Sequence, residues 1–240
     1  MAEAIFYGCT TRANPALKNS LDRVLAKIQL DFIPMGLDLC CGAPLFLSGH
    51  VDETKKQAEK VINEFKIHDI DTVITPCPHC FTIIGQEYKE VLNVKMPDVK
   101  VLHITEFIKK KIADGTLKPE KEVNVRVTYH DPCYIGRQGK GLYDEPRFIL
   151  NSIPGVKLQE TSLNRESATC CGGGGLLRAY LPRLAVEIAK EKIKSQFIPL
   201  NSDFIVSSCP FCYINLSEGA EGESIEVKDI TEILNMALEQ

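Results

Sequence analysis

The sequence predicts an α/β protein built from two repeated β-α-β-α-β halves on parallel sheets. Three observations predict it. The cysteines fall at 9, 40, 41, 77 and 80 and again at 133, 170, 171, 209 and 212, so both halves read Cys, Cys-Cys-Gly, Cys-Pro-x-Cys. The intervals match as well, 30 and 35 residues in the first half against 36 and 37 in the second. Short apolar runs also alternate with longer segments whose apolar residues recur at helical steps.

Taken in order, "EAIFYGC" and "VRVTYHDPC" are apolar runs that end at the first cysteine of each half and read as buried strands. A helix follows, carried by Ala16, Leu17, Leu21, Val24, Leu25 and Ile28 in the first half and more briefly by Phe148 to Ile153 in the second. "LDFIPMG" and "GVKLQETS" are second strands leading towards Cys-Cys-Gly. The amphipathic helices "VDETKKQAEKVINEFKI" and "LPRLAVEIAKEKIKSQF" come next, their apolar stripes facing the core and their Lys/Glu faces read as solvated surface. "DTVITPCPHC" and "DFIVSSCPFC" are third strands running into Cys-Pro-x-Cys. The stretch 104–122 reads as a helix closed by a Gly- and Pro-containing turn, which puts the boundary between repeats 1–121 and 122–240. In such Rossmann-like halves the C-terminal strand ends share one sheet edge, where ligands bind. Five thiols per half are therefore expected to converge there.

The bulk numbers narrow the function classes. With 240 residues, 44% hydrophobic and 25% charged, the chain has the composition of an ordinary globular protein with ample core. A net charge of −4 without a basic stripe gives no support to nucleic-acid binding. No apolar run reaches membrane-span length, so no direct membrane span is expected, and the N-terminal stretch lacks the n- and h-regions of a signal peptide. A cytoplasmic setting is the expectation.

Ten cysteines in that setting point to metal or catalysis before structural disulfides, which a chain of this size does not need. A zinc site usually draws on two C-x-x-C knuckles, and each half has one. A thioredoxin-like redox C-x-x-C asks for no Cys-Cys-Gly partner. An iron–sulfur cluster uses several soft thiolates, and two adjacent cysteines can ligate different irons. Gly42 and the run Gly172, Gly173, Gly174 and Gly175 then permit close approach of backbone N–H groups to sulfur. Pro78, Pro132 and Pro210 stiffen the cysteine loops.

The arrangement C-x30-C-C-G-x34-C-P-x-C, repeated as C-x36-C-C-G-x36-C-P-x-C, resembles the cysteine-rich CCG domain of the B-type subunit of heterodisulfide reductase and its relatives. The relatives include the D-type subunit of the membrane-linked reductase, an anchor subunit of some succinate:quinone reductases, and iron–sulfur subunits of glycolate and lactate oxidation. The resemblance spans nearly the whole chain. It implies two non-cubane [4Fe–4S] clusters, one on Cys9, Cys40, Cys41, Cys77 and Cys80 and one on Cys133, Cys170, Cys171, Cys209 and Cys212. It further implies reduction or formation of a disulfide, in the family the heterodisulfide of coenzymes M and B, bound between the clusters. The implied partners are a ferredoxin-like C-type iron–sulfur subunit and a flavin-bearing A-type subunit. An electron-transfer or quinone-interacting module is the alternative activity.

Other residues have narrower readings. His79, inside "CPHC", is the candidate catalytic proton donor, and its counterpart is Phe211. His130 and Asp131 are read as fixing the turn before Cys133. Arg137, Lys140 and Arg178 are cations placed to meet an anionic substrate or simply solvated. No G-x-G-x-x-G or Walker loop is present, so electrons are expected to arrive from a partner.

Overall fold

The computed structural model describes residues 2–238, which leaves the outermost positions of both expected repeats outside the description. The first half opens with β1 (Ala2–Phe6), α1 (Gly8–Ala13), α2 (Pro15–Ile28), β2 (Ile33–Met35), α3 (Ala43–Leu47) and α4 (Val51–Ile67). It continues through β3 (Ile70–Thr75), α5 (Pro78–Thr82), α6 (Tyr88–Glu90), β4 (Lys100–His103) and α7 (Ile104–Ala113). The second half repeats the plan with β5 (Arg126–Tyr129), α8 (Asp144–Asn151), β6 (Lys157–Gln159), α9 (Leu177–Tyr180) and α10 (Pro182–Lys192). It closes with β7 (Phe204–Ser207), α11 (Pro210–Gly219), β8 (Glu226–Asp229) and α12 (Ile230–Leu238).

Each half is a four-stranded parallel sheet, in the orders β2-β1-β3-β4 and β6-β5-β7-β8. Ala4 of β1 lies opposite Ile33 on one side and Val73 on the other. Val127 of β5 has the matching neighbours Leu158 and Phe204. The chain leaves β1 towards β2 and then crosses to β3 on the far side. The crevice between the ends of β1 and β3 is thus the topological switch point, and β5 and β7 form its counterpart.

Local chemistry explains the helices. Asn14 caps α2 by accepting from the N–H groups of Ala16 and Leu17, Pro15 occupies the first turn, and the left-handed Gln29 ends it. Leu17, Leu21, Val24, Leu25 and Ile28 form its buried stripe. The expected solvated Lys/Glu face of α10 fails at one position: Lys192 is only 4% exposed. Each half also has a fourth strand where three were expected. β4 and β8 carry no cysteine, and each runs directly into a helix through the same cap. The His103 and Asp229 N–H groups donate to Glu106 and Glu232, while their side chains accept from Thr105 and Thr231.

The halves share a core around an approximate two-fold relation. α2 packs on α12 as α8 packs on α7, joining Leu21, Val24 and Leu25 with Ile233, Leu234 and Ala237, and Phe107 and Ile108 with Ile149 and Leu150. Each such buried Leu, Ile, Val or Phe side chain stabilises the fold by about 1.5–3 kcal/mol. Ser20 Oγ meets Thr231 Oγ1 at 2.8 Å, and Asn235 Nδ2 donates to the Ser20 carbonyl at 2.8 Å across the same seam. No helix among the described residues is long and apolar enough to cross a membrane.

Candidate metal centres

The cysteine loops leave the ends of β1, β2 and β3, and again of β5, β6 and β7. Cys9 lies in the first turn of α1, reached through Gly8 at φ +74°, where a Cβ would stand 2.9 Å from Cys80 Sγ. Cys77 and Cys209 are the N-caps of α5 and α11, with Pro78 and Pro210 in the first helical turn.

All ten cysteines are free thiols. Within each half they come together. Cys41 Sγ lies 3.3 Å from Cys80 Sγ, Cys9, Cys41, Cys77 and Cys80 line one cavity, and Cys40 acts electrostatically on Cys9 and Cys41. In the second half Cys171 Sγ lies 3.2 Å from Cys212 Sγ, and Cys133, Cys170 and Cys209 act electrostatically on the same group. The structure therefore brings together both sets of five that the sequence singled out.

These contacts set the protons. Bonds from Cys40 and then Cys80 pull Cys41 down to about 5, whereas donation to Cys41 and Cys77, reinforced by burial, pushes Cys80 well up. In the second set, bonds from Cys133 and Cys171 hold Cys170 far below the ordinary thiol range, and its bond to Cys170 pushes Cys171 up to about 12. Stripping every proton would crowd five negative charges into a mostly buried site, at a cost only an embedded cation can offset. Five converging soft donors exceed what one tetrahedral ion accepts, so the donor set fits a multi-iron cluster.

Backbone and side chains hold the tandem cysteines in place. Gly42 N–H donates to Cys40 Sγ at 3.4 Å, Gly172 N–H to Cys170 Sγ at 3.3 Å and Gly173 N–H to Cys171 Sγ at 3.3 Å. Gln57 Nε2 and Tyr88 Oη donate to the carbonyls of Cys40 and Cys41, at 2.7 and 2.6 Å, and Asn215 Nδ2 donates to that of Cys171 at 2.7 Å. Sequence reading passed over Gly8, Gln57, Tyr88 and Asn215. The available signal was the carbonyls of Cys-Cys-Gly, which lie outside helix and strand and need donors from elsewhere.

Three of the four glycines have packing reasons. A Cβ at Gly172 would stand 2.8 Å from the Ala185 carbonyl, at Gly173 2.6 Å from the Phe211 carbonyl, and at Gly174 3.1 Å from the His79 ring. Gly175 meets nothing within 4 Å but has φ +61°. Gly173→Ala is therefore expected to destabilise the protein by more than about 2 kcal/mol, a backbone clash, and Gly175→Ala by only about 1 kcal/mol of strain. Thermal melts of the two variants check the order.

The run of glycines serves both sites. Gly173, Gly175, Leu176 and Arg178 wall a cavity of about 250 Å³ whose opposite side is Cys9, Cys41, Cys77 and Cys80. His79 and Phe211, equivalent positions of the two halves, both line it and touch at 4.8 Å between ring centroids. His79 also stacks on Tyr134 at 4.1 Å, and after the larger effect of Cys80 it helps hold Cys77 low. Arg178 is not a free cation, since it donates to Asn215 at 2.7 Å and pairs with Glu218. Arg137 braces the Ala168 carbonyl, and Lys140 lies 4.8 Å over the Phe81 ring, on the first half rather than beside the second cysteine set.

Near the second set, Asp131 does more than fix a turn. Arg147 grips it with two bonds of 2.7 and 2.9 Å, and the Arg165 N–H adds a third at 2.9 Å. His130 is buried with a ring nitrogen that lies, together with Cys171 and Cys212 Sγ, in a group no more than 4.8 Å across. Burial, aided by Lys192 and Arg137, pushes its pKa down to about 3, so it is neutral.

The model of the cysteine-rich domain family CCG matches residues 4–85 and 127–217. The D-type subunit of the dihydromethanophenazine:CoB–CoM heterodisulfide reductase of Methanosarcina acetivorans is 36% identical over 240 residues, covering 97% of this chain and 58% of that protein. The B-type subunit of the CoM/CoB fumarate reductase of Methanothermobacter marburgensis is 35% identical over 238 residues, 97% of this chain and 45% of that one. The EtfAB:quinone oxidoreductase of Syntrophomonas wolfei is 31% identical over 250 residues, 98% of this chain and 34% of that one. The chain thus spans 58% or less of the length of these relatives.

Proposed function

The chain belongs to the cysteine-rich CCG domain family, and from that premise we propose that it is an iron–sulfur component of an oxidoreductase complex. The observation that carries this reading is the pair of five-thiol groups, one at each switch point. Cys9, Cys40, Cys41, Cys77 and Cys80 would hold one cluster, and Cys133, Cys170, Cys171, Cys209 and Cys212 the other, in repeats 1–121 and 122–240. Iron–sulfur clusters of the non-cubane [4Fe–4S] type, bound there, would supply one-electron uptake and release.

The finer reading is a heterodisulfide-reductase-type activity on a sulfur–sulfur bond, with electrons exchanged through an iron–sulfur partner. Cleaving a disulfide takes two electrons and two protons and leaves two thiols. Two centres in one chain match the electron count. His79, the one imidazole on the cavity wall, is assigned to hand a proton to a departing sulfur. Gly42, Gly172 and Gly173 keep backbone N–H groups on the sulfurs, Gly173 and Gly175 keep the cavity wall thin, and Gly174 leaves room for the His79 ring.

A second reading, electron transfer to a quinone-like acceptor, is favoured by one observation. Ala43, Pro44, Leu47, Leu176 and Phe211 make the cavity apolar, and its one guanidinium, on Arg178, is already paired with Glu218. Such walls suit an uncharged ring better than an anionic disulfide.

Anaerobically purified protein is expected to carry iron and acid-labile sulfide in both halves. One zinc per half without sulfide would overturn the iron–sulfur reading. A heterodisulfide is then expected to change the EPR spectrum of the oxidised protein. No response to any disulfide or thiol, with turnover on a quinone, would select the second reading.

A further inference from the structure

Lys192 and Arg147 are the two buried Lys/Arg side chains among the described residues, and they are treated very differently. Arg147 has two carboxylates, Asp131 and Glu160. Lys192 has none in contact among the described residues. Its Nζ donates to Thr169 Oγ1 at 2.7 Å, Gln196 Oε1 at 3.0 Å and the Thr169 carbonyl at 3.1 Å, all neutral acceptors. Its donors are satisfied, yet no carboxylate among the described residues touches it. Buried ammonium groups are costly without a counter-charge.

The geometry supplies one. Thr169 is the residue before Cys170, and α10 places Lys192 between Ala189 and Ile193, which belong to the same buried cluster as Cys171, Cys209 and Cys212. The ammonium sits 5.2 Å over the Phe197 ring, in the same core. Burial pulls it down to about 8, and charge on Cys171, Cys212 and Cys170, with a smaller contribution from Asp131, which Arg147 already pairs, pushes it back up.

The first half lacks this device. Gly42 faces Thr54 and Gln57 of α4 as Gly172 faces Ala185 and Ile188 of α10, and Ala58 and Ala189 are both wholly buried. That register makes Val61, wholly buried, the counterpart of Lys192. Arg12, which shares α1 with Cys9, is half-exposed and spends its guanidinium on the Gly36 and Leu37 carbonyls, where water screens it.

We propose that Lys192 is the built-in counter-ion of the second cysteine set and that it makes the centre held there easier to reduce than the centre in the first half. The inference rests on the iron–sulfur reading above. A fixed positive charge favours the more negative, reduced state of a nearby cluster. Electrons shared by the two centres then settle in the second half, opposite the cavity side lined by the first set.

The test is a reductive titration of the full chain with dithionite, followed by EPR, each step adding one electron and making or breaking no bond. Wild type is expected to show two steps, the upper one missing in a Cys171→Ser background. Lys192→Met is expected to weaken the upper step at least tenfold, about 59 mV for one electron, leaving the lower step in place; Lys192→Arg should keep both. Loss of second-half iron in Lys192→Met and Lys192→Gln but not in Lys192→Arg supports the same counter-ion, read as affinity. Full iron and sulfide in Lys192→Met with unmoved steps overturns the proposal, as does loss of that iron in all three variants. Wild type without iron and sulfide instead overturns the reading beneath it.

Discussion

Cys171→Ser is expected to remove about half of the iron and sulfide and to leave the first centre intact. Cys171 is 3% exposed, touches Cys212 at 3.2 Å and receives the Gly173 N–H, so it sits inside the second thiol group. A serine hydroxyl is a harder and far more basic donor than a thiolate and is a poor ligand for iron in a sulfur-rich site. No residue of the first set takes part in that group. Iron, acid-labile sulfide and EPR intensity per chain measure the result, and loss of both centres would contradict two self-contained ligand sets.

The second large effect is expected on stability. Arg147→Met should cost about 3–5 kcal/mol, because Asp131, whose side chain is 3% exposed, is left as a buried charge without its guanidinium. Exposed pairs such as Lys18–Asp22, each 36% exposed, fall in the range of about 0–1 kcal/mol. The penalty should reach the metal site, since Asp131 lies two residues before Cys133. Denaturant unfolding of R147M is the measurement, and R147M/D131N should recover part of the loss as the two changes are strongly coupled. An unfolding midpoint equal to wild type would remove Arg147 as the brace of this loop.

Much of the molecule was legible because the cysteines punctuate it. Their two matching pentads marked the repeat, and each thiol group fell at a strand end because the apolar runs before it read as strands. β4 and β8 escaped because no cysteine follows them, although "HITE" at 103–106 and "DITE" at 229–232 repeat the capping box that starts α7 and α12. Lys192 escaped for another reason. On a helix rich in Lys and Glu, periodicity shows which side is apolar, but not that one lysine turns its head under a loop to Thr169. Arg147 and Asp131 are likewise far apart in sequence, and only the fold reveals that they are partners.

The contact of His79 with Phe211 has an evolutionary consequence. Equivalent residues that touch each other lie on the approximate two-fold axis. In a dimer of identical single-repeat subunits, both sides of that axis must carry the same side chain. Joining two copies in tandem lifts the restriction, so one side can keep an imidazole while the other becomes a phenyl ring, and Lys192 can diverge from Val61 in the same way. The joined chain offers an unsymmetrical guest two chemically different faces, which a symmetric pair of identical repeats has no means to present.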